Sequence, residues 1–367
     1  MAKSPQARSG LLKKELLLMK GNEAIAEAAV QSGCRFYAGY PITPQNEIPE
    51  YMSRRMPEVD GVFVQAESEI ASINMVYGAS ATGARAMTSS SSPGISLMQE
   101  AISFLSIAEL PAVIVNIQRG GPGLGNITAS QADYFQAVKG GGHGDYKCIV
   151  YSPFNVQEMW DLTIRAFDKA DEYRTPVIIL GDGVIGQMME PFYQTPYTRP
   201  QLPSKRWVLD GCRGRKPRVV KTLCMGPGEL EAMNQVLIEK YRLIRKNEVL
   251  FDSYFVEDAE LVVVAFGIAA RIALSAIKEL RSEGRKIGLF RPVTLFPFPE
   301  KHISRLASKG PAFMVIEMNA GQMVEDVRLA VNGRSAVTFY GRPGGAVFSP
   351  EEIYKKFKSA HNKIRPR

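Results

Sequence analysis

Between residues 21 and 182 the chain alternates two kinds of stretch, and that alternation restricts the fold more than any other feature. "GNEAIAEAAVQSG" (21–33) spaces its apolar residues for a helix and stops at Gly33. "CRFYAGY" reads as a strand, "QNEIPEYMSRRM" as a helix, "GVFVQA" (61–66) as a strand and "ESEIASINMVYGASATG" (67–83) as a helix. "RAMTSSSS" is strand into loop, "PGISLMQEAISFLSIAE" helix and "PAVIVNIQR" (111–119) a buried strand. "NVQEMWDLTIRAFDKADEY" and "TPVIILGDG" add one more helix and strand. Parallel neighbours need crossovers, usually helical. The pattern therefore predicts an α/β fold with a doubly wound parallel sheet.

Residues 190–222 break the rhythm. Prolines at 191, 196, 200, 203 and 217 and dense charge mark an irregular, Pro-rich basic linker. "GELEAMNQVLIEKYRLIRK" then restores helical spacing. "AELVVVAFG" (259–267), "ARIALSAIKELRSEG", "KIGLFRP" and "AFMVIEMN" (312–319) follow as strand, helix, strand and strand. The expected division is a basic N-terminal tail (1–14), a first domain (15–189), the linker (190–222), a smaller second α/β domain (223–345) and a basic C-terminal segment (346–367).

The net charge is +8. Residues 1–14 carry four Lys or Arg and no acid, 199–221 eight against Asp210 alone, and 355–367 six and no acid. Those segments outweigh the whole chain's excess, so the remainder is net acidic. The basicity reads as solvated tails and linker, not the stripe on a folded face that nucleic-acid binding needs. An acidic partner or a phosphate-bearing ligand is the other reading of the same charge. No apolar run reaches the roughly 18 residues of a membrane helix, and the N-terminus has no signal-peptide segment. The expectation is a cytoplasmic protein, bound to neither membrane nor nucleic acid. Cys34, Cys148, Cys212 and Cys224 form no CxxC or close pair, so no metal ligand set is expected within the chain.

Ligands in open α/β sheets sit at the carboxyl ends of the strands. Thr43 follows one strand, Glu67 and Glu69 another, the run Thr88–Ser92 a third and Arg119 a fourth. Parallel strands bring these to one edge. Pro41 and Pro44 stiffen the path around Thr43, and an arginine with a threonine hydroxyl suits a small carboxylate. Taken singly, Arg119 could serve a surface ion pair, and Glu67 or Glu69 could compensate a helix dipole. "GDGVIG" (181–186) has the dinucleotide spacing, but it runs into "QMMEPFYQTPYTRP", where proline forbids a useful helix. "GGPGLGN" (120–126) and "GGGHGDY" (140–146) lack a P-loop ending. They suit close backbone approach to a ligand or another chain.

"GYPITPQNE", "QAESEIASINMVYGASATGARAMTSSSSPGISLMQE", "NIQRGGPGLGN" and "KGGGHGDY" resemble the α subunit of 2-oxoacid:ferredoxin oxidoreductases, most of all the 2-oxoisovalerate (branched-chain) type. "RPVTLFPFP" (291–299) and "VIEMNAGQM" (315–323) are similar to that family's transketolase-C-like segment, so the resemblance runs from about 15 to 335. It implies a first domain of the pyrimidine-type thiamine-diphosphate-binding fold and a CoA-dependent oxidative decarboxylation of a 2-oxoacid, branched-chain favoured, in anaerobic metabolism. The alternative substrate within this class is 2-oxoglutarate. Glu69 matches the glutamate that touches the thiamine pyrimidine N1′, and Thr43 and Arg119 match positions that hold the substrate carboxylate. The resemblance implies that the serine run 89–92, Ser91 and Ser92 above all, lines the same pocket. Thiamine enzymes commonly pair GDG with a later Asn-Asn to hold magnesium diphosphate, and "KRWVLDGCRGRKPRV" has no such pair. The resemblance thus assigns diphosphate, magnesium and [4Fe-4S] clusters to partners: a beta subunit, a gamma subunit, a small ferredoxin-like delta subunit and external ferredoxin, in a dimer of hetero-oligomers. Two other readings are an NAD(P)-dependent oxidoreductase using "GDGVIG" and a non-catalytic nucleic-acid-binding protein using the basic linker.

Overall fold

Strand β1 (Glu15–Lys20) opens the computed structural model, which describes residues 15–364. Then come α1 (Gly21–Gln31), β2 (Phe36–Gly39), α2 (Glu47–Glu58), β3 (Val62–Gln65), α3 (Glu69–Ala81), β4 (Ala86–Ser90), α4 (Ser92–Ile107) and β5 (Ala112–Gln118). The short α5 (Tyr134–Lys139), β6 (Ile149–Tyr151), α6 (Val156–Tyr173), β7 (Pro176–Asp182), α7 (Gly183–Gln187) and β8 (Met189–Gln194) complete the first half. The second half holds α8 (Glu229–Asn247), β9 (Phe251–Tyr254), β10 (Leu261–Val264), α9 (Gly267–Ser282), β11 (Ile287–Pro292), β12 (Thr294–Phe296) and α10 (Glu300–Ala307). It ends with β13 (Ala312–Glu317), α11 (Met323–Val331), β14 (Val337–Gly341) and α12 (Pro350–Ile364).

The first sheet runs β12-β6-β7-β5-β4-β2-β3, parallel except for β12. The chain steps outward from β2 to β3, then back past β2 to β4 and on to β5. Right-handed crossovers put α2 on one face and α3 and α4 on the other. Helices α1 and α6 pack with α2's layer, so the sheet is doubly wound. Every residue of β5 and β7 is buried, as expected of central parallel strands read as continuous apolar runs. The second sheet runs β14-β13-β10-β11-β9, with β9 antiparallel, and β1 pairs with β8 as a two-stranded ribbon.

The chain does not divide cleanly between the sheets. "RPVTLFPFP" leaves the second sheet at Pro292 and immediately adds β12 to the first, beside β6. At this crossing Arg291 is 0% exposed. It donates to both carboxylate oxygens of Glu158 on α6, at 2.9 and 2.6 Å, and also bonds Asp252. Two further side chains stitch the seam. Gln131 donates to Phe266 O at 2.8 Å and accepts from Met318 N at 3.0 Å. Asp182, from the glycine-rich "GDGVIG", accepts from Val184 N, Ile185 N and Ile268 N at 3.0–3.2 Å. One carboxylate therefore caps the five-residue α7 and the start of α9 together. The side chain of Gln131 and the Asp182 carboxylate lie so close that a Cβ on Gly267 would sit 2.9 Å from Gln131 Nε2.

The basic C-terminal segment differs from its reading as solvated charge, whereas most cations of the linker stay exposed. Residues 350–364 form α12, which packs on α9 with Ile353 and Phe357 at 0% exposure. Its apolar residues recur every three to four positions beneath the lysines, a helix stripe that the charge concealed. In the linker, Lys205 and Arg199 pair with Asp171, and Arg215 and Arg218 with Asp210. The basic N-terminal tail lies outside the described residues.

Candidate active site at the carboxyl edge of the first sheet

Four strand ends meet where parallel pairing requires. The loop after β2 is anchored from two sides. Asn22 Nδ2 donates to Pro44 O at 2.9 Å and to Glu47 at 2.8 Å, while Ser89 Oγ, on β4, donates to Gln45 Oε1 at 2.6 Å. Thr43 is half-buried within this loop, and its peptide to Pro44 is cis. Arg119, one residue past β5 and 7% exposed, reaches across and donates Nη1 to Thr43 O at 3.0 Å. Its Nη2 donates to Leu124 O at 3.0 Å, in "GGPGLGN". The guanidinium is thus held by two carbonyls, which carry no net charge, and its buried Nε has no partner. The cation remains available to an anion.

Glu69 begins α3, whose N-cap Ser68 accepts from Ala71 N at 3.2 Å. The helix dipole favours a carboxylate there, yet Glu69 is 6% exposed and turned inward. Its one hydrogen-bond partner among the described residues is Ser90 Oγ, at 3.4 Å. The carboxylate rests against Gly94 of α4: a Cβ there would lie 2.4 Å from Glu69 Oε1 and 2.0 Å from Ser90 Oγ. Only glycine leaves room. Glu67, by contrast, is exposed, and of the two glutamates only Glu69 enters the site.

The serine run splits its work. Ser89 ties the β2 loop through Gln45 and Tyr37, and Ser90 meets Glu69. Ser91 Oγ is buried with no partner, as is Thr88 Oγ1. Ser92 Oγ donates to Asp133 Oδ2 at 2.6 Å and accepts from Arg119 N at 3.0 Å. Asn116 completes this knot, donating to Asp133 at 2.9 Å and accepting from Ser92 N at 3.1 Å. Burial pushes the Asp133 carboxyl above its usual range, and the Ser92 and Asn116 donors oppose that. Thr43, Arg119 and Ser92 therefore form one connected set, with Glu69, Ser90 and Ser91 beside it.

Asp133, Asn116, Gln45 and Gly94 escape sequence reasoning. "SQADYF" has no periodicity to single out Asp133, and Asn116 sits between apolar residues of a buried strand. His143 is exposed, and Lys139 pairs with Asp326. Among the described residues no group of three His, Cys, Asp or Glu side chains could hold a metal ion, and no helix is long and apolar enough to cross a membrane.

Comparison with known proteins agrees with this architecture. The family model described as pyruvate flavodoxin/ferredoxin oxidoreductase, thiamine diphosphate-binding, matches residues 27–238, and that for pyruvate:ferredoxin oxidoreductase core domain II matches 259–353. The ketoisovalerate oxidoreductase subunit VorB of Methanothermobacter marburgensis is 51% identical over 93% of this chain and 97% of its own. The 2-oxoglutarate synthase subunit KorA of Archaeoglobus fulgidus is 40% identical over 92% of this chain and 97% of its own. Among solved structures, the 2-oxoglutarate:ferredoxin oxidoreductase of Magnetococcus marinus, with 2-oxoglutarate, coenzyme A and succinyl-CoA bound, superposes with a TM-score of 0.81 at 27% identity. That match covers 95% of this chain and 66% of the solved one. With a family model across more than half its length and a relative 51% identical over 93% of it, the chain belongs to the 2-oxoacid:ferredoxin oxidoreductases, as a subunit with a thiamine-diphosphate-binding domain.

Proposed function

We propose that this chain supplies the pyrimidine-side, substrate-gripping half of a thiamine-dependent active site that converts a branched-chain 2-oxoacid, CoA and oxidised ferredoxin to acyl-CoA, CO2 and reduced ferredoxin. The observation that carries this reading is Glu69: a buried carboxylate with a single long partner, seated against Gly94 and beside an arginine held only by carbonyls. A buried carboxylate so sparsely bonded is costly unless a ligand completes it. A ring nitrogen that shares a proton with it would do so.

The residues fit thiamine's pyrimidine half. Glu69 would hold a proton at N1′, and the orphaned Ser91 hydroxyl lies in the same buried edge. The cofactor supplies the carbanion chemistry. Arg119 would bind the substrate carboxylate through its spare Nη hydrogens. Thr43 would add its hydroxyl. Ser92 and Asp133 position the Arg119 backbone, and so the guanidinium. The diphosphate half, magnesium, the [4Fe-4S] clusters and the electron exit would come from beta, gamma and delta partners, in a cytoplasmic assembly.

Branched-chain substrates are favoured by the half-identical ketoisovalerate subunit over the 40% identical 2-oxoglutarate one. The test is to co-purify the complex, record its iron–sulfur spectrum, and assay CoA-dependent ferredoxin reduction across 2-oxoacids. Ketoisovalerate is expected to give the highest kcat/KM. Higher turnover of 2-oxoglutarate would reverse the substrate assignment, and no CoA-dependent reduction with any 2-oxoacid would end the reading.

A further inference from the structure

A cavity of about 690 Å³ opens where the end of α8, the turn between β12 and α10, and the segment joining α5 to β6 come together. Its lining includes none of Thr43, Glu69, Ser91, Ser92 or Arg119. Six cations face it, Lys139, Lys147, Arg242, Arg245, Lys246 and Lys301, against the two acids Glu300 and Asp326. Asp326 is already engaged by Lys139 and by the Tyr134 hydroxyl, and Arg242 pairs with Glu239.

Among the described residues no carboxylate lies within ion-pair distance of Lys147, Arg245, Lys246 or Lys301. Lys147 reaches only the carbonyls of Val138 and Lys139, at 3.5 and 3.4 Å. Burial and the neighbouring Lys139 and Arg245 charges lower its pKa. His302 Nδ1, on the α10 side, is buried without a partner. Arg245, Lys246 and Lys301 are exposed, with Arg245 also lying over the Phe296 ring at 5.6 Å, and Lys147 is partly buried. Like charges gathered around a concave space repel one another, and the cleft focuses their field on whatever enters.

Phosphate answers that arrangement better than a single carboxylate. An ammonium meets it as a point charge and a guanidinium meets it bidentately. Four unpaired cations on three separate elements match a ligand with more than one phosphate group. The volume is that of an ordinary small-molecule site, and Val249, Leu295 and Phe298 give it an apolar wall. Helix α5 joins this cleft to the sheet edge: Asp133, its side chain bonded to Ser92, precedes one end, and Lys139 stands at the other.

We propose that this cleft binds a small molecule carrying two or more phosphate groups, gripped by Lys147, Arg245, Lys246 and Lys301, apart from the thiamine half-site. Calorimetric titration of the co-purified complex with inorganic pyrophosphate and with ATP tests it. The wild-type complex is expected to bind at least one of them. A preference for ATP would identify a nucleotide, and a preference for pyrophosphate a free diphosphate. Arg245→Ala with Lys246→Ala, both exposed positions on α8, is expected to weaken binding at least about 10-fold. Glu69→Gln, which disables the proposed pyrimidine contact, and Arg213→Ala with Lys216→Ala in the linker are expected to bind as wild type. Binding of neither probe, equal loss in the linker variant, or capture of polyglutamate in place of phosphates would overturn the proposal, the last by assigning the face to an acidic protein.

Discussion

The seam between the two sheets and the edge of the first sheet use the same kinds of buried polar residue to opposite ends. At the seam, Gln131 and Asp182 bond across the boundary and spend both side-chain ends on backbone groups. Glu317, close by, accepts from the N–H groups of Gln322, Met323 and Val324 and from Asn319. At the edge, Thr88 Oγ1, Ser91 Oγ and Arg119 Nε are equally buried and find no hydrogen-bond partner among the described residues, where Glu69 has one. An unpaired buried polar group costs about 1–3 kcal/mol. The seam has its own unpaired atoms, Arg291 Nε and Ser152 Oγ, but its carboxylates are fully bonded, whereas under the proposed function the sparsely bonded Glu69 and Arg119 at the edge await a ligand.

Substitutions can break this contrast. The largest effect is expected at Glu69. Glu69→Gln keeps the shape and removes the proton acceptor, and should lower kcat by about 10²- to 10⁴-fold while the complex assembles and melts as wild type. Activity within threefold of wild type would take Glu69 out of the chemistry.

Asp182→Ala should do the reverse. It strands three backbone N–H groups at the seam, and a loss of about 2–4 kcal/mol in unfolding free energy is expected, with the 2-oxoacid KM of the surviving folded enzyme unchanged. The penalty should also depend on pH. Burial raises the Asp182 carboxyl from 3.8 to about 6. Between those values the folded chain keeps a proton that the unfolded chain has released. Its contribution is therefore fully present below about pH 4 and falls as pH rises through 6, by about 3 kcal/mol. Urea titrations of wild type and variant at pH 4.5 and 7 should show the larger difference at the lower pH, and equal differences would refute this account.

Arg119→Ala is expected to raise KM for the 2-oxoacid by about 10- to 100-fold, the loss of a charge-assisted hydrogen bond. A normal KM would return Arg119 to a purely structural role. Thr43→Val should cost the least, about 3- to 10-fold in kcat/KM for one neutral hydrogen bond, because Arg119 grips the Thr43 carbonyl and not its hydroxyl. If Thr43→Val cost as much as Arg119→Ala, the hydroxyl would be doing more than assisting.

Much of the sheet edge is legible in the sequence because it follows from chain direction alone. Once the strands are parallel, whatever follows β2, β3, β4 and β5 must share an edge, and Thr43, Glu69, Ser91, Ser92 and Arg119 are those residues. The seam is not legible in that way. "GDGVIG" reads as a failed dinucleotide loop, and its aspartate's partner Ile268 lies 86 positions away. Arg291 and Glu158 are 133 apart, and no periodicity reports a contact at that distance. Residues 350–364 were hidden differently: six cations from 355 onward outweigh the sparse apolar stripe that docks α12.

The sequence by itself determined the parallel sheet, the edge on which chemistry collects and the residue types presented there, because those depend on local periodicity and on the direction of each strand. Only the tertiary structure decided which glutamate turns inward, which serine stays unpaired, and how one strand of the second half completes the first sheet. Those outcomes depend on side chains distant in sequence competing for the same buried donors and acceptors, and that competition is resolved only when the elements pack.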